Sequence, residues 1–172
     1  LGKVARSMFD IDVAIDGAES GYCPQPELLR AAPSPGLIYL IEAGPNEKGL
    51  AWLDPLLVNA LVELQTRAPD KSVLREARQP TLIDATLCGE FLSPLLQGFS
   101  GELNALLGET VVPKYKITRH EADARQLAYA IEPCAFGWLG GRIDFQNGLR
   151  GGGFRLALPQ HAWLHPSDKT DG

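Results

Sequence analysis

The sequence predicts an α+β domain in which long helices pack on a mainly antiparallel sheet. Three observations carry that prediction. Residues 49–53 read as a short apolar strand that runs straight into a helix opened by Asp54-Pro55. A second, longer helix opens at Thr81. After Gly108 the apolar residues return to a period of two, the spacing of half-buried strands.

Taken in order, Leu1, Val4, Ala5, Met8 and Phe9 fall on one face of a helix over residues 1–9. Ile11, Val13 and Ile15 then alternate with Asp12, Ala14 and Asp16, which predicts a half-buried strand. Residues 26–30 form a helical turn, broken at residues 33–36 by prolines and glycine. Residues 37–42 are too apolar to present a wet face, so this strand belongs inside the sheet. Gly44-Pro45-Asn46-Glu47 turns the chain, and residues 49–53 return antiparallel to the first strand.

Asp54 is a good N-cap, and Pro55 suits the first helical position, where the missing N–H costs nothing. Leu57, Leu61 and Leu64 form the inward stripe of this helix, while Asn59, Glu63 and Gln65 face water. Residues 67–79 are charged and poor in apolar side chains, which predicts an exposed loop. Thr81, with Asp84 three residues on, resembles a capping box at the head of the second helix. Leu87, Phe91 and Leu95 carry its buried face, Cys88 is a small core residue within it, and Pro94 is expected to kink or split it.

Beyond Gly108, Tyr115, Ile117 and Arg119 alternate with polar neighbours, as do Leu127, Tyr129 and Ile131 with theirs. Residues 142–146 and 154–158 read as the arms of a hairpin joined by a wide, glycine-rich loop over residues 147–153. Pro159 ends the sheet. The expected division is therefore one domain over residues 1–159 and a flexible tail over residues 160–172. Each half of the domain holds a long helix and several strands, without a residue-level repeat between them.

Composition narrows the function classes. The net charge of −5 and the lack of a long basic run argue against a nucleic-acid partner, which demands clustered lysine and arginine. The longest apolar run, residues 37–41, is far too short to cross a bilayer. Three cysteines without a Cys-x-x-Cys spacing fit a reducing compartment better than a disulfide framework, so the default localisation is cytoplasmic.

No chemical motif survives its spacing test. His161 and His165 stand four apart, as zinc ligands on a helix would, but Pro159 and Pro166 bracket a segment too short for a stable helix, and no third ligand is evident. Gly151-Gly152-Gly153 is followed by a strand where a phosphate cradle needs a helix. Gly98-Phe99-Ser100-Gly101 follows a helix and has its second glycine one place too early for a nucleophile elbow. The residues predict no catalytic centre, no metal site and no cofactor.

Two junctions in their order carry a family resemblance. Gly49-Leu50-Ala51-Trp52-Leu53-Asp54-Pro55 and Arg78-Gln79-Pro80-Thr81-Leu82-Ile83-Asp84 resemble the strand-to-helix junction and second helix start of the middle domain of the flagellar motor switch protein FliM. Asp123-Ala124-Arg125-Gln126-Leu127 and residues 153–159 fit the last strands of that family. The resemblance implies a CheC-like pseudo-twofold fold. It also implies a non-enzymatic scaffold in the bacterial flagellar switch ring, transmitting rotation-direction signals. Its implied partners are a FliG-like motor protein and neighbouring copies of itself, and its implied place is the cytoplasmic basal body, on the inner face of the cell membrane. The flanking modules of the family are missing, which implies an excised middle domain or a divergent relative.

Kinship with the CheC-type response-regulator phosphatases supplies the rival reading, and a type III secretion sorting-platform protein is the alternative within the fold. CheC-type activity uses Glu-x-x-Asn on one helical face, yet no glutamate in this chain has an asparagine three residues on. Glu63 meets Thr66 and Glu90 meets Ser93. One departure touches the scaffold reading too. The family contacts FliG through a Gly-Gly-x-Gly loop after the first helix, where this chain has Gln65-Thr66-Arg67-Ala68-Pro69-Asp70-Lys71. The expected protein-binding residues are accordingly Arg67, Pro69, Asp70 and Lys71.

Overall fold

A computed structural model of the protein describes residues 13–66, 78–107, 113–145 and 150–163. Among the described residues its frame is a six-stranded, wholly antiparallel sheet. The strands are β1 (Val13–Pro24), β2 (Leu37–Gly44), β3 (Glu47–Leu53), β4 (Lys116–Glu121), β5 (Ala135–Phe145) and β6 (Arg150–Pro159). They lie in the order β1-β5-β6-β3-β2-β4. Among the described residues three α-helices accompany them: α1 (Gln25–Ala31), α2 (Pro55–Thr66) and α3 (Leu82–Leu107).

The strand at residues 37–42 is an inner one, as its composition requires. β2 pairs with β3 on one side and β4 on the other. Leu37, Tyr39 and Ile41 point into the core beneath α2 and α3, while Ile38 and Leu40 point into a second core on the opposite face. Ala51 and Leu53 of β3 divide from Leu50 and Trp52 in the same way.

The junction from β3 into α2 is closed by one carboxylate. Asp54 Oδ1 accepts from Leu57 N at 2.8 Å, and Oδ2 accepts from Gly153 N at 2.7 Å. The helix start is thus tied to β6 as well as capped. This corrects the expected wide glycine loop: Gly151, Gly152 and Gly153 are ladder residues of β6, paired with Asp144, Ile143 and Arg142 of β5. Side chains are excluded there by neighbours. A Cβ on Gly152 would stand within 2.3 Å of both Asp54 Oδ1 and Leu57 N.

α2 buries Leu57 and Leu61 as expected, but Asn59, Glu63 and Gln65 are only half exposed. Gln65 Nε2 donates to Leu87 O at 2.9 Å, and Glu63 lies 3.5 Å from Arg150 Nε. Pro94 does not split α3, which runs unbroken to Leu107. Phe91 before it and Leu95 and Leu96 after it are buried in the same core. That shared burial outweighs the roughly 3 kcal/mol a mid-helix proline costs.

Three further expectations change. β1 continues eight residues past Asp16, because β5 offers a long partner from Phe145 back to Ala135. It shifts register between Asp16 and Glu19, where Gly17 takes φ +57°. Residues 127–131, and the stretch 123–127 expected among the last strands, form no strand. Ala124–Leu127 is a 3-10 turn capped by Asp123, and further turns follow. Leu127 and Ile131 are buried and Tyr129 is fully exposed, a pattern that turns satisfy as well as a strand does. Residues 1–12 and 164–172, which hold the expected first helix and most of the tail, lie outside the described residues.

Candidate functional site

The expected contact residues Arg67, Pro69, Asp70 and Lys71 lie outside the described residues, which resume on either side at Thr66 and Arg78. At the end of α2, Thr66 Oγ1 donates to Val62 O at 2.7 Å, and the Gln65 bond to Leu87 O links α2 to α3. At the head of α3, Asp84 does the fixing. Its backbone N donates to Thr81 Oγ1 at 3.2 Å, and its Oδ2 accepts from Thr81 N at 2.8 Å, which completes the capping box. The Arg78 guanidinium grips the same carboxylate with two bonds, Nη1 to Oδ2 at 2.6 Å and Nη2 to Oδ1 at 3.1 Å.

Asp84 is almost wholly buried. Burial alone would raise its pKa, but the Arg78 hydrogen bonds, the two Thr81 bonds and the Arg78 charge together hold it below the usual carboxylate range. The carboxylate is therefore ionised at neutral pH, as a cap and a bidentate partner must be. The connection springs from two helix ends held rigidly against each other.

The sequence reading missed what that clamp exposes. The inward stripe of α3 runs through Asp84, Ala85, Cys88, Phe91 and Leu95, so Leu82 and Ile83 point outward, 70% and 71% exposed. Two adjacent large aliphatic side chains in water make the most apolar step among the described exposed residues. Counting back from Phe91 by threes reaches the buried Cys88 and Ala85, whereas counting by fours reaches the half-buried Leu87 and the exposed Ile83. Spacing alone therefore leaves both phases open, and burial in the structure selects the one that turns Leu82 and Ile83 outward.

The chemical candidates resolve into structure. Ser100 is buried, and its hydroxyl donates to the carbonyls of Leu96 and Pro113, which pins α3 to the segment before β4. His161 Nε2 sits 3.6 Å from Glu47 Oε1 in a 3-10 turn, and His165 lies outside the described residues. Among the described residues no group of three His, Cys, Asp or Glu side chains could hold a metal ion. Glu63 and Glu90 stand on different helices, α2 and α3. The Cys88 thiol is pushed up to about 12, first by burial and then by the Asp84 charge, so it stays an inert core thiol. No described helix is long and apolar enough to cross a membrane.

The geometry defines a class first: an α+β domain whose exposed features are surfaces. No family model matches the sequence, and no curated protein matches it significantly. Solved structures do match its fold. The FliM middle domain from Vibrio alginolyticus is 16% identical, with a TM-score of 0.65 over 92% of this chain and 88% of that one. A chain of the FliG–FliM complex from H. pylori is 14% identical, with a TM-score of 0.67 over 92% and 84%. FliY from Thermotoga maritima is 12% identical, with a TM-score of 0.67 over 94% and 83%. The fold is that of the FliM and FliY middle domains, as the two sequence junctions implied.

Proposed function

We propose that this domain is a non-enzymatic scaffold and protein-interaction module of a flagellar motor switch ring. What supports the reading is the match of nearly the whole chain to FliM middle domains, one of them crystallised in a complex with FliG. The partner surface is the α2–α3 connection with its flanks: Arg67, Pro69, Asp70 and Lys71, continued by Arg78, Leu82 and Ile83. Connections on a rigid scaffold are where contacts concentrate, and exposed apolar side chains suit the core of an interface with charged residues at its rim. Copies of the domain stand side by side at the inner face of the cell membrane. Small tilts between them carry the rotation-direction signal, which needs only a few kcal/mol of differential contact.

Calorimetric titration against a FliG-like motor protein tests this. The double variants Arg67→Glu/Lys71→Glu and Leu82→Ser/Ile83→Ser should each weaken association at least ~10-fold, a cost of about 1.4 kcal/mol. Because Leu82 and Ile83 are exposed, their replacement should leave folding stability within ~0.5 kcal/mol. The charge-reversed variant should also flatten the salt dependence of association. Unaltered affinity in both variants would sink the assignment of this surface.

A further inference from the structure

The face of the sheet opposite α2 and α3 carries a cleft of about 480 Å³, inside the range of small-molecule sites. At its floor Arg155 of β6 stands directly across from Trp52 of β3 and from Gly140 of β5. Its guanidinium carbon lies 4.0 Å from the Trp138 ring centroid and 5.2 Å from that of Trp52. A Cβ on Gly140 would sit 2.9 Å from the Phe154 carbonyl, so close backbone approach keeps that position bare, and Arg155 Nε passes it at ordinary contact distance, 3.5 Å. Gly21 of β1, paired with Trp138 of β5, leaves room for the indole, since a Cβ there would meet the ring at 3.0 Å.

The ionic state of this arginine sets it apart. Arg78, Arg119, Arg125, Arg142 and Arg150 each engage a carboxylate, and Arg30 donates to the Pro26 carbonyl. Arg155 alone among the described arginines has only ring contacts, with no hydrogen-bond acceptor and no carboxylate partner. Aromatic faces hold the guanidinium while its five N–H donors stay available. The other charged groups of the cleft are accounted for. Asp54 spends both oxygens on Leu57 N and Gly153 N, and Arg142 is bound to Asp144 at 2.7 Å. Asp16 and Glu19, both exposed and without an ion pair, complete the lining.

We propose that this cleft binds a small zwitterion of the amino-acid class, its carboxylate on the Arg155 guanidinium and its ammonium toward Asp16 and Glu19. A planar guanidinium fixed by stacking matches a carboxylate with two parallel bonds. Two carboxylates on the rim oppose a dianion such as phosphate and attract a cation on the same ligand.

The test uses tryptophan fluorescence of the full chain in a Trp163→Phe background, so that of three tryptophans only Trp52 and Trp138 report. The probes are the free non-aromatic α-amino acids, acetate and inorganic phosphate. At least one amino acid should saturate the signal with a dissociation constant of about 1 mM or tighter, with acetate weaker and phosphate weakest. Arg155→Gln should abolish the response, and Arg155→Lys should weaken it at least ~10-fold, because an ammonium lacks the fork and the stacking plane. Asp16→Asn/Glu19→Gln should weaken the amino acid and leave acetate unchanged or tighter. Three results would overturn the proposal: no saturation by any amino acid up to ~10 mM, phosphate binding tighter than every carboxylate, or undiminished binding in a folded Arg155→Gln variant. Should that variant fail to fold, the pair at the exposed positions 16 and 19 decides: equal amino-acid affinity with and without those carboxylates also overturns it.

Discussion

The two faces of the sheet are built from alternate residues of the same strands, yet they do different work. Under α2 and α3 the face is apolar, and its polar atoms are closed off, as where the Tyr39 hydroxyl donates to Ala85 O at 2.6 Å. An apolar gap of about 50 Å³ lies there beside Phe91 and Leu95, lined almost wholly by hydrocarbon. On the opposite face, α1 and the turns at 124–131 bring Leu28, Leu127 and Ile131 over one end of the sheet. Beyond them Arg155 and the indole edge of Trp138 stay half exposed. Full coverage gives stability, and partial coverage leaves chemistry within reach of water.

The sharpest way to break this contrast is to hollow each face in turn. Phe91→Ala should cost about 3–5 kcal/mol and Leu61→Ala about 2–5 kcal/mol in urea unfolding, since both side chains are fully buried beneath the helices. Leu28→Ala on the opposite face should fall near 2 kcal/mol, because the seven-residue α1 can settle into the space. A loss at Leu28 equal to that at Phe91 would show two cores of the same standing.

Next in size is Gly152→Ala, which drives a methyl into the α2 start and should cost about 1–3 kcal/mol. A neutral result would mean that α2 is free to lift from β6. Asp84→Asn should cost about 1–2 kcal/mol at pH 7 through the lost cap and arginine partner. Asp84 titrates below its unfolded value of about 3.9, so its contribution is complete above that pH and fades as pH falls through the folded value. Unfolding curves from pH 7 to pH 2 should therefore show a shallower acid loss in the variant, and parallel curves would refute the linkage.

The smallest expected effect is none. Added at stoichiometric levels to a phosphorylated chemotaxis regulator, the protein should leave dephosphorylation unchanged. Even ~100-fold acceleration, about 2.7 kcal/mol of barrier, would reopen the phosphatase reading and direct attention to Glu63 and Glu90.

What the sequence made legible was local. Asp54-Pro55 and Thr81 with Asp84 announce helix starts because capping is settled within four residues, and residues 37–41 announce an inner strand by composition alone. What it hid depends on distant neighbours. Gly151–Gly153 look like a loop until the α2 start, some 99 residues away, occupies the space their side chains would take. Leu127, Tyr129 and Ile131 fit both a strand and a run of turns, and only packing against Leu28 and Phe136 separates them. Pro94 reads as a helix breaker until the burial on both its sides is counted. The outward step of Leu82 and Ile83 was hidden because spacing fits two phases of the helix, and the stripe read from the sequence was anchored on Leu87 in place of Cys88. The cleft around Arg155 joins four strands, β1, β3, β5 and β6, and carries no motif.

The register shift in β1 bears on how the protein behaves when concentrated. Along a twelve-residue strand at the margin of the sheet, unpaired backbone groups are a template for another chain. Gly17 in its left-handed conformation, with Asp16 bonded to its N–H, kinks that template in the middle and places charge on it. Shortened to two broken pieces, the margin is a poor seed for edge-to-edge polymerisation. A variant with the kink straightened should precipitate at concentrations the native chain tolerates, long before its unfolding temperature changes.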